Sequence, residues 1–362
     1  MLTRMIAICA LALFVAPAAA SERPFNRNDA RAIIRDLQKV VTPRGIDETT
    51  AVPINGSRQW ITVRGRDRKN PILLFIHGGP AAPEMPTSWT FQNGWEDYFT
   101  VVQWDQRGAG KTYNANDPKK IAPTISLAQM VADTEAMTQY LRKTYHKPKI
   151  FALGHSWGSV LGLMLAENHP EWLYAYVGVG QVIDSKKSEM LGYQAILKAA
   201  KDAGRAEAVK ELRAIAPYPG KTLSLSKIDV ERKWSVRLGG LSYGRDNYGY
   251  YYNAGRISPD YSDADFAAID KGSALSLPPL LASFGSGDFE NVTTFYCPII
   301  VFAGRHDATT SSEVVADWFK RVRAPVKKFV WFENSAHMIQ IEEPGRMLVH
   351  LVEDVRPLAD KE

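Results

Sequence analysis

The sequence predicts an α/β protein, with a mainly parallel sheet covered by helices on both faces and a mostly helical segment inserted into it. Three observations carry this prediction. Apolar runs of four to six residues end in Gly-rich turns at 72–76, 100–104, 150–153, 174–179, 299–303 and 329–332, as buried strands do. Helical periodicities lie between the runs, so strand alternates with helix. The stretch 181–290 lacks such runs altogether.

The first twenty residues stand apart. Arg4 is followed by an apolar run over 6–15 and by Ala18-Ala19-Ala20 before Ser21. The run is too short to span a bilayer as a helix. The pattern predicts a cleaved export signal over 1–20 and a periplasmic or secreted product. Cys9 follows Ile8 rather than a small residue, so it is not read as a lipid-attachment site. No later stretch is apolar enough to span a membrane.

Residues 22–48 are polar apart from Ile33, Ile34, Leu37, Val40 and Val41, whose spacing predicts an amphipathic helix. Residues 50–64 alternate around Asn55-Gly56, a hairpin signal. Leu127, Met130, Val131, Met137 and Leu141 share one helical face within 126–145; 160–165 reads as a buried helix, and 312–321 and 345–354 as further helices. Within 181–290, residues 191–216 have helical character up to Pro217, and 243–252 holds five tyrosines. The expected organisation is a sheet domain in two pieces, 21–180 and 291–362, with a helical cap over 181–290.

The 362 residues are 45% hydrophobic and 23% charged, which excludes a disordered or fibrous chain. The net charge is +5, of which Arg4 supplies one, and the basic residues are scattered in pairs such as Lys119-Lys120 and Lys186-Lys187. Without a basic block, nucleic acid is not an expected partner. Only Cys297 remains after the signal, so no intramolecular disulfide is expected; it precedes the apolar run 298–303 and reads as a small buried hydrophobe. His-Glu-x-x-His is absent and Gly108-Ala109-Gly110 lacks the rest of a dinucleotide pattern, so neither metal nor cofactor is expected.

Gly154-His155-Ser156-Trp157-Gly158 follows the strand at 150–153 and opens a helix. A serine on such a sharp turn projects its oxygen from the sheet edge, and small residues two before and two after let the turn close. His77-Gly78-Gly79-Pro80 follows the strand at 72–76. Its glycines let backbone N–H groups approach a ligand, so Gly79 and Trp157 are the candidate oxyanion donors. Of seven histidines, His77 and His155 flank these motifs in orienting roles, while His146, His169 and His350 belong to helical segments. His337 lies just after the strand at 329–332, and Asp307 just after the strand at 299–303, beside His306, which reads as structural. Ser156, Asp307 and His337 stand in the order nucleophile, acid, base, each after its own strand. Asp105 and Arg107, in Asp105-Gln106-Arg107-Gly108, are expected to tie loops beside the site.

His77-Gly78-Gly79-Pro80, the Asp105-Gln106-Arg107-Gly108-Ala109-Gly110 segment and Gly154-His155-Ser156-Trp157-Gly158 together resemble the proline iminopeptidase-like branch of the α/β-hydrolases, peptidase family S33. The resemblance covers roughly 50–180 and 290–350, and implies an α/β-hydrolase fold, a Ser156-His337-Asp307 triad and small peptide or amide substrates. Ala81 replaces the family's usual glycine after Gly-Gly-Pro. The family holds the substrate's amino group with cap carboxylates, one of them in a Trp-x-x-Trp-Glu segment. Here Trp234-Ser235-Val236-Arg237-Leu238 is the nearest match, with Arg237 and Leu238 in the Trp and Glu places and Asp246 a weak match to a second cap acid. Arg237 would repel an ammonium group, so Arg237 and Asp246 are the candidate substrate-binding residues. Three function classes follow: a peptidase or amidase, an esterase or lactonase on small acyl substrates, and a non-catalytic binding protein on the same scaffold.

Overall fold

The computed structural model describes residues 24–221, 223–282 and 288–360; the export signal predicted over 1–20 lies outside them. Eight strands form one sheet: β1 Ile46–Ile54, β2 Ser57–Gly65, β3 Ile72–Ile76, β4 Thr100–Trp104, β5 Ile150–His155, β6 Leu173–Val179, β7 Ile299–Gly304 and β8 Lys327–Phe332. Their order is β1-β2-β4-β3-β5-β6-β7-β8. β2 runs antiparallel to both its neighbours, and every pair from β4 to β8 is parallel.

The β1–β2 hairpin closes on Asn55 and Gly56, whose φ values of 43° and 78° suit a two-residue turn between twisted strands. Each central strand feeds two cores because successive side chains point to opposite faces. Ile72, Leu74 and Ile76 of β3 join one apolar cluster, Leu73 and Phe75 the other. β8 is an edge strand that starts two residues before its apolar run, at the exposed Lys327 and Lys328. Lysines there discourage pairing with another chain.

The helices are α1 Arg27–Leu37, α2 Gly110–Asn114, α3 Pro118–Ile121, α4 Leu127–Thr144, α5 Trp157–Asn168, α6 Ser185–Asp202, α7 Ala206–Ala214, α8 Leu225–Arg237, α9 Gly249–Arg256, α10 Asp263–Leu281, α11 Ser312–Arg321, α12 Ile339–Glu342 and α13 Pro344–His350. α4 starts at Ser126, whose side chain accepts the Gln129 amide and caps the helix. α13 passes into a π turn at Leu351–Val355, which ends one residue past the predicted segment 345–354.

α1 departs from expectation. Its periodicity predicts a buried stripe, yet only Ile34 is buried, and Ile33 and Leu37 are exposed. Polar contacts hold it instead: Arg27 donates to Asp263 at 2.6 Å and Arg31 to the Tyr261 carbonyl at 2.9 Å. The apolar spacing is present, but among the described residues no second layer packs over that face.

α6 to α10 stand between β6 and β7. α6, α7 and α8 bury their own cluster, including Tyr193, Ile196, Leu212 and Trp234. α10 packs on the 105–110 loop so tightly that a β-carbon at Gly272 would come 2.1 Å from the Gly108 carbonyl oxygen. Tyr261 donates to the Asp105 carboxylate, and Arg107 forks onto Asp133 at 2.7 and 3.0 Å. The glycine-rich segment is therefore a packing and tethering element, as the sequence leads one to expect. Among the described residues no helix is long and apolar enough to cross a membrane.

Candidate active site

The chain turns from β3 toward β4 on one side and from β5 toward β6 on the other, which opens a crevice at the carboxyl ends of these adjacent strands. Ser156 stands there between β5 and α5, with φ 53° and ψ −121°. This positive-φ conformation costs a non-glycine residue roughly 1–3 kcal/mol and persists only where packing enforces it. The flanking glycines are that packing. A β-carbon at Gly154 would meet the Gly158 carbonyl oxygen at 2.5 Å, and one at Gly158 would meet the Ile76 and His77 oxygens at 1.9 and 2.6 Å. Ser156 is thereby brought against the loop after β3: a β-carbon at Gly78 would lie 3.0 Å from that of Ser156. Gly79 follows with φ 113°, a conformation L side chains rarely adopt, and Trp157 is the first residue of α5.

His77 pins this loop. Its Nε2 accepts the Gln106 amide at 3.1 Å, which leaves Nδ1 to donate to the Gly78 carbonyl at 2.8 Å. Burial lowers its pKa, in keeping with a neutral ring.

Asp307 follows β7 and His337 follows β8. The Asp307 Oδ2 receives the His337 Nδ1–H at 2.8 Å and the Thr310 hydroxyl at 2.9 Å, while Oδ1 receives the Thr309 and Thr310 amides, both at 2.8 Å. Burial would raise the Asp307 pKa, but the His337 charge and hydrogen bond and the Thr310 donors together hold it below its ordinary value. An ionised acid that takes the Nδ1 proton leaves His337 Nε2 as the basic nitrogen. Two glycines make room for this pair. A β-carbon at Gly304 would lie 1.9 Å from the Ala336 carbonyl oxygen, and one at Gly180 would lie 2.8 Å from His337 Cε1.

The backbone around His337 is held on all sides. Its N–H donates to the Leu241 carbonyl at 3.0 Å. The amides of Ala336 and Met338 donate to Glu342, at 3.1 and 2.9 Å to Oε2. Glu342 also takes the Tyr243 amide at 2.5 Å, so segment 241–243 is tied to the histidine loop. His155 closes the ring, with Nε2 3.1 Å from the His337 carbonyl oxygen and Nδ1 2.5 Å from Glu84. Sequence reasoning missed Glu342 and Glu84. Glu342 sits five residues after His337, a spacing that suits a helix-start carboxylate capping upstream amides and could have been found; Glu84 is 71 positions from His155 and gives no local signal.

The structure does not bring Arg237 and Asp246 to these residues. Both are exposed and line a separate cleft of about 420 Å³ with Glu207 and Trp234, none of whose lining residues is Ser156, Asp307 or His337. Arg237 lies 5.1 Å from the centre of the Trp234 ring, which accounts for its position by stacking. The insertion also pairs charges elsewhere: Arg232 with Glu189 and Glu231, and Asp260 with Arg64, while Tyr218 donates to Glu189. His306 stacks on Tyr243 with ring centres 3.7 Å apart, a structural contact as expected. Cys297 is buried, and burial pushes its thiol up to about 12, which suits packing rather than nucleophilic chemistry.

Residues 71–344 match the family described as the alpha/beta hydrolase fold. A Bacillus subtilis (strain 168) protein named probable aminopeptidase YbaC is 29% identical over 295 residues, covering 81% of this chain and 91% of its own. A proline iminopeptidase of Neisseria gonorrhoeae is 36% identical over 99 residues, 27% of this chain and 29% of its own length. Among solved structures, a proline iminopeptidase-related protein from Thermus thermophilus superposes with a TM-score of 0.59 at 18% identity, over 87% of this chain and 99% of that one. An epoxide hydrolase superposes with a TM-score of 0.55 at 18% identity, over 86% and 100%. At such identities the likeness is one of fold.

Proposed function

This chain belongs to the α/β-hydrolase fold family, and on that premise we propose that it is an exported serine hydrolase that releases the N-terminal residue of small peptides or amides through an acyl-enzyme. The observation that carries this reading is the His337–Asp307 hydrogen bond, 2.8 Å long, buried beside the strained Ser156 turn. His337 Nε2 removes the Ser156 proton as the oxygen attacks the substrate carbonyl. Asp307 orients the imidazole and stabilises its charge. The N–H groups of Gly79 and Trp157 receive the developing oxyanion, each such donor being worth roughly 3–4 kcal/mol to the transition state. His337 then protonates the leaving amine, and water, deprotonated by the same nitrogen, releases the acyl group.

The aminopeptidase direction is supported by the likeness to probable aminopeptidase YbaC along most of both chains. A second reading, an esterase or lactonase on small acyl substrates, is favoured by the exposed Arg237 and by Leu238, which stand where the resembled branch carries Trp and Glu respectively. The test is a panel of N-terminal prolyl and other aminoacyl arylamides beside short acyl esters and lactones, with Ser156→Ala as control. Arylamide turnover lost in Ser156→Ala supports the first reading; turnover confined to esters or lactones supports the second. Stoichiometric fluorophosphonate labelling that persists in Ser156→Ala would sink the triad. Export after cleavage before Ser21 is tested by N-terminal sequencing of the protein recovered outside the cytoplasm.

A further inference from the structure

Two buried histidines stand beside Ser156, and their surroundings differ. His77 faces one donor and one acceptor, the Gln106 amide and the Gly78 carbonyl, and a neutral ring satisfies both. His155 faces two acceptors, a Glu84 carboxylate oxygen at 2.5 Å and the His337 carbonyl oxygen at 3.1 Å. Against an ionised Glu84, a neutral ring carrying one proton would set a nitrogen lone pair toward one of these oxygens. Only a ring protonated at both nitrogens donates to both. The side chains of His155 and Glu84 are 4% and 2% exposed, so water does not supply the missing partner cheaply.

We infer that His155 is a permanently charged imidazolium that positions His337 through its backbone carbonyl, with Glu84 as its buried counter-ion. The pair joins the three loops that the proposed reaction needs. Glu84 follows the Gly78-Gly79 loop, His155 precedes Ser156, and the carbonyl belongs to His337. The charge also lies beside the base itself, since the His155 and His337 rings are 4.9 Å apart between centres. The other charged or titratable groups facing the pair are Asp307 toward His155, neutral His77 toward both, and Tyr248, just before α9, and Tyr251 of α9 toward Glu84. Burial works against the His155 charge, yet Glu84, the His337 carbonyl and Asp307 together raise its pKa above the ordinary value.

The kinetic half of the test rests on the proposed hydrolase reading; the spectroscopic half needs no substrate, so the two failures are distinguishable. Long-range proton–nitrogen NMR of the histidine-labelled protein is recorded at about pH 8, where an ordinary histidine is neutral. One ring protonated at both nitrogens is expected, absent in the His155→Gln spectrum. Finding none, or finding it retained in His155→Gln, overturns the charge assignment. On the best substrate from the panel, His155→Gln is expected to lower kcat about 10- to 100-fold with little change in KM. Glu84→Gln, whose amide can donate to Nδ1 while Nε2–H still reaches the His337 carbonyl, is expected to retain more of kcat than His155→Gln. An unchanged kcat in a folded His155→Gln protein, a loss carried by KM instead of kcat, or equal losses in the two variants, overturns the positioning role.

Discussion

Gly158 is packed against the carbonyl of Ile76 so closely that a β-carbon would sit 1.9 Å from its oxygen. Both partners of that contact are backbone, so neither can swing aside as a side chain would. The contact fixes the start of α5, and with it Ser156, against the loop that carries Gly79. Gly158→Ala is therefore expected to cost about 1–3 kcal/mol by overpacking and to shift the start of α5. Urea unfolding should show the loss of stability, and the rate of fluorophosphonate labelling should fall with it. Gly345→Ala, where a β-carbon meets nothing within 4 Å, should leave both unchanged.

Asp307 accepts four hydrogen bonds, one of them from His337. Asp307→Asn can keep the side chain's shape but offers a donor toward His337, which favours the wrong tautomer. The expected result is a fall in kcat of about 10⁴-fold with the fold retained. Stopped-time assays beside circular dichroism check it; a loss below about tenfold would remove Asp307 from the proposed role.

Three carboxyl groups, Glu96, Asp105 and Glu342, are each pushed up to about 7, in each case chiefly by burial. Their folded-state pKa values lie above the unfolded ones, so between about pH 4 and 7 the folded chain binds more protons than the unfolded chain. Their contribution to stability is full below the unfolded pKa and is lost as pH rises through about 7. Asp307 works in the opposite direction, since its lowered pKa favours the fold above the ordinary carboxylate range. Urea midpoints measured across this window should fall with rising pH, and Glu342→Gln should flatten the slope. An unchanged slope in that variant would show that Glu342 titrates normally.

What was legible in the sequence is what is encoded locally. Buried strands announce themselves as apolar runs, and the glycines at 154 and 158 are required by a turn five residues long. Asp307 and His337 stand out because each directly follows a strand, and strand ends converge at the crevice. The Glu84–His155 pair was not legible, since an ion pair 71 residues apart exists only once β3 and β5 lie side by side. Arg237 and Asp246 were placed through resemblance of a short cap segment, and there the local match did not carry the position: Arg237 stacks on Trp234 at an exposed cleft. The exposed face of α1 gives the same lesson, because periodicity reports a helix's apolar stripe and not whether anything covers it.

Arg107 and Asp133 form a fully buried pair, with side chains 2% and 0% exposed. Arg107 also donates to the Asn55 carbonyl at 3.0 Å and to Thr124 at 3.1 Å, while Asp133 accepts from Asn55, Gln59 and Gln129. The pair thus holds the β1–β2 turn, the loop after β4 and α4 together behind the site. Removing only the cation leaves an unpaired carboxylate in the interior, so Arg107→Ala is expected to destabilise the protein by about 3–5 kcal/mol. Arg107→Lys keeps the charge but loses the two-pronged geometry and should fall between. In a double-mutant cycle with Asp133→Asn, the second change should cost much less in the Arg107→Ala background than alone, because the neutral amide no longer strands a charge. Additive losses in urea unfolding would mean that the two residues act through their other partners rather than through each other.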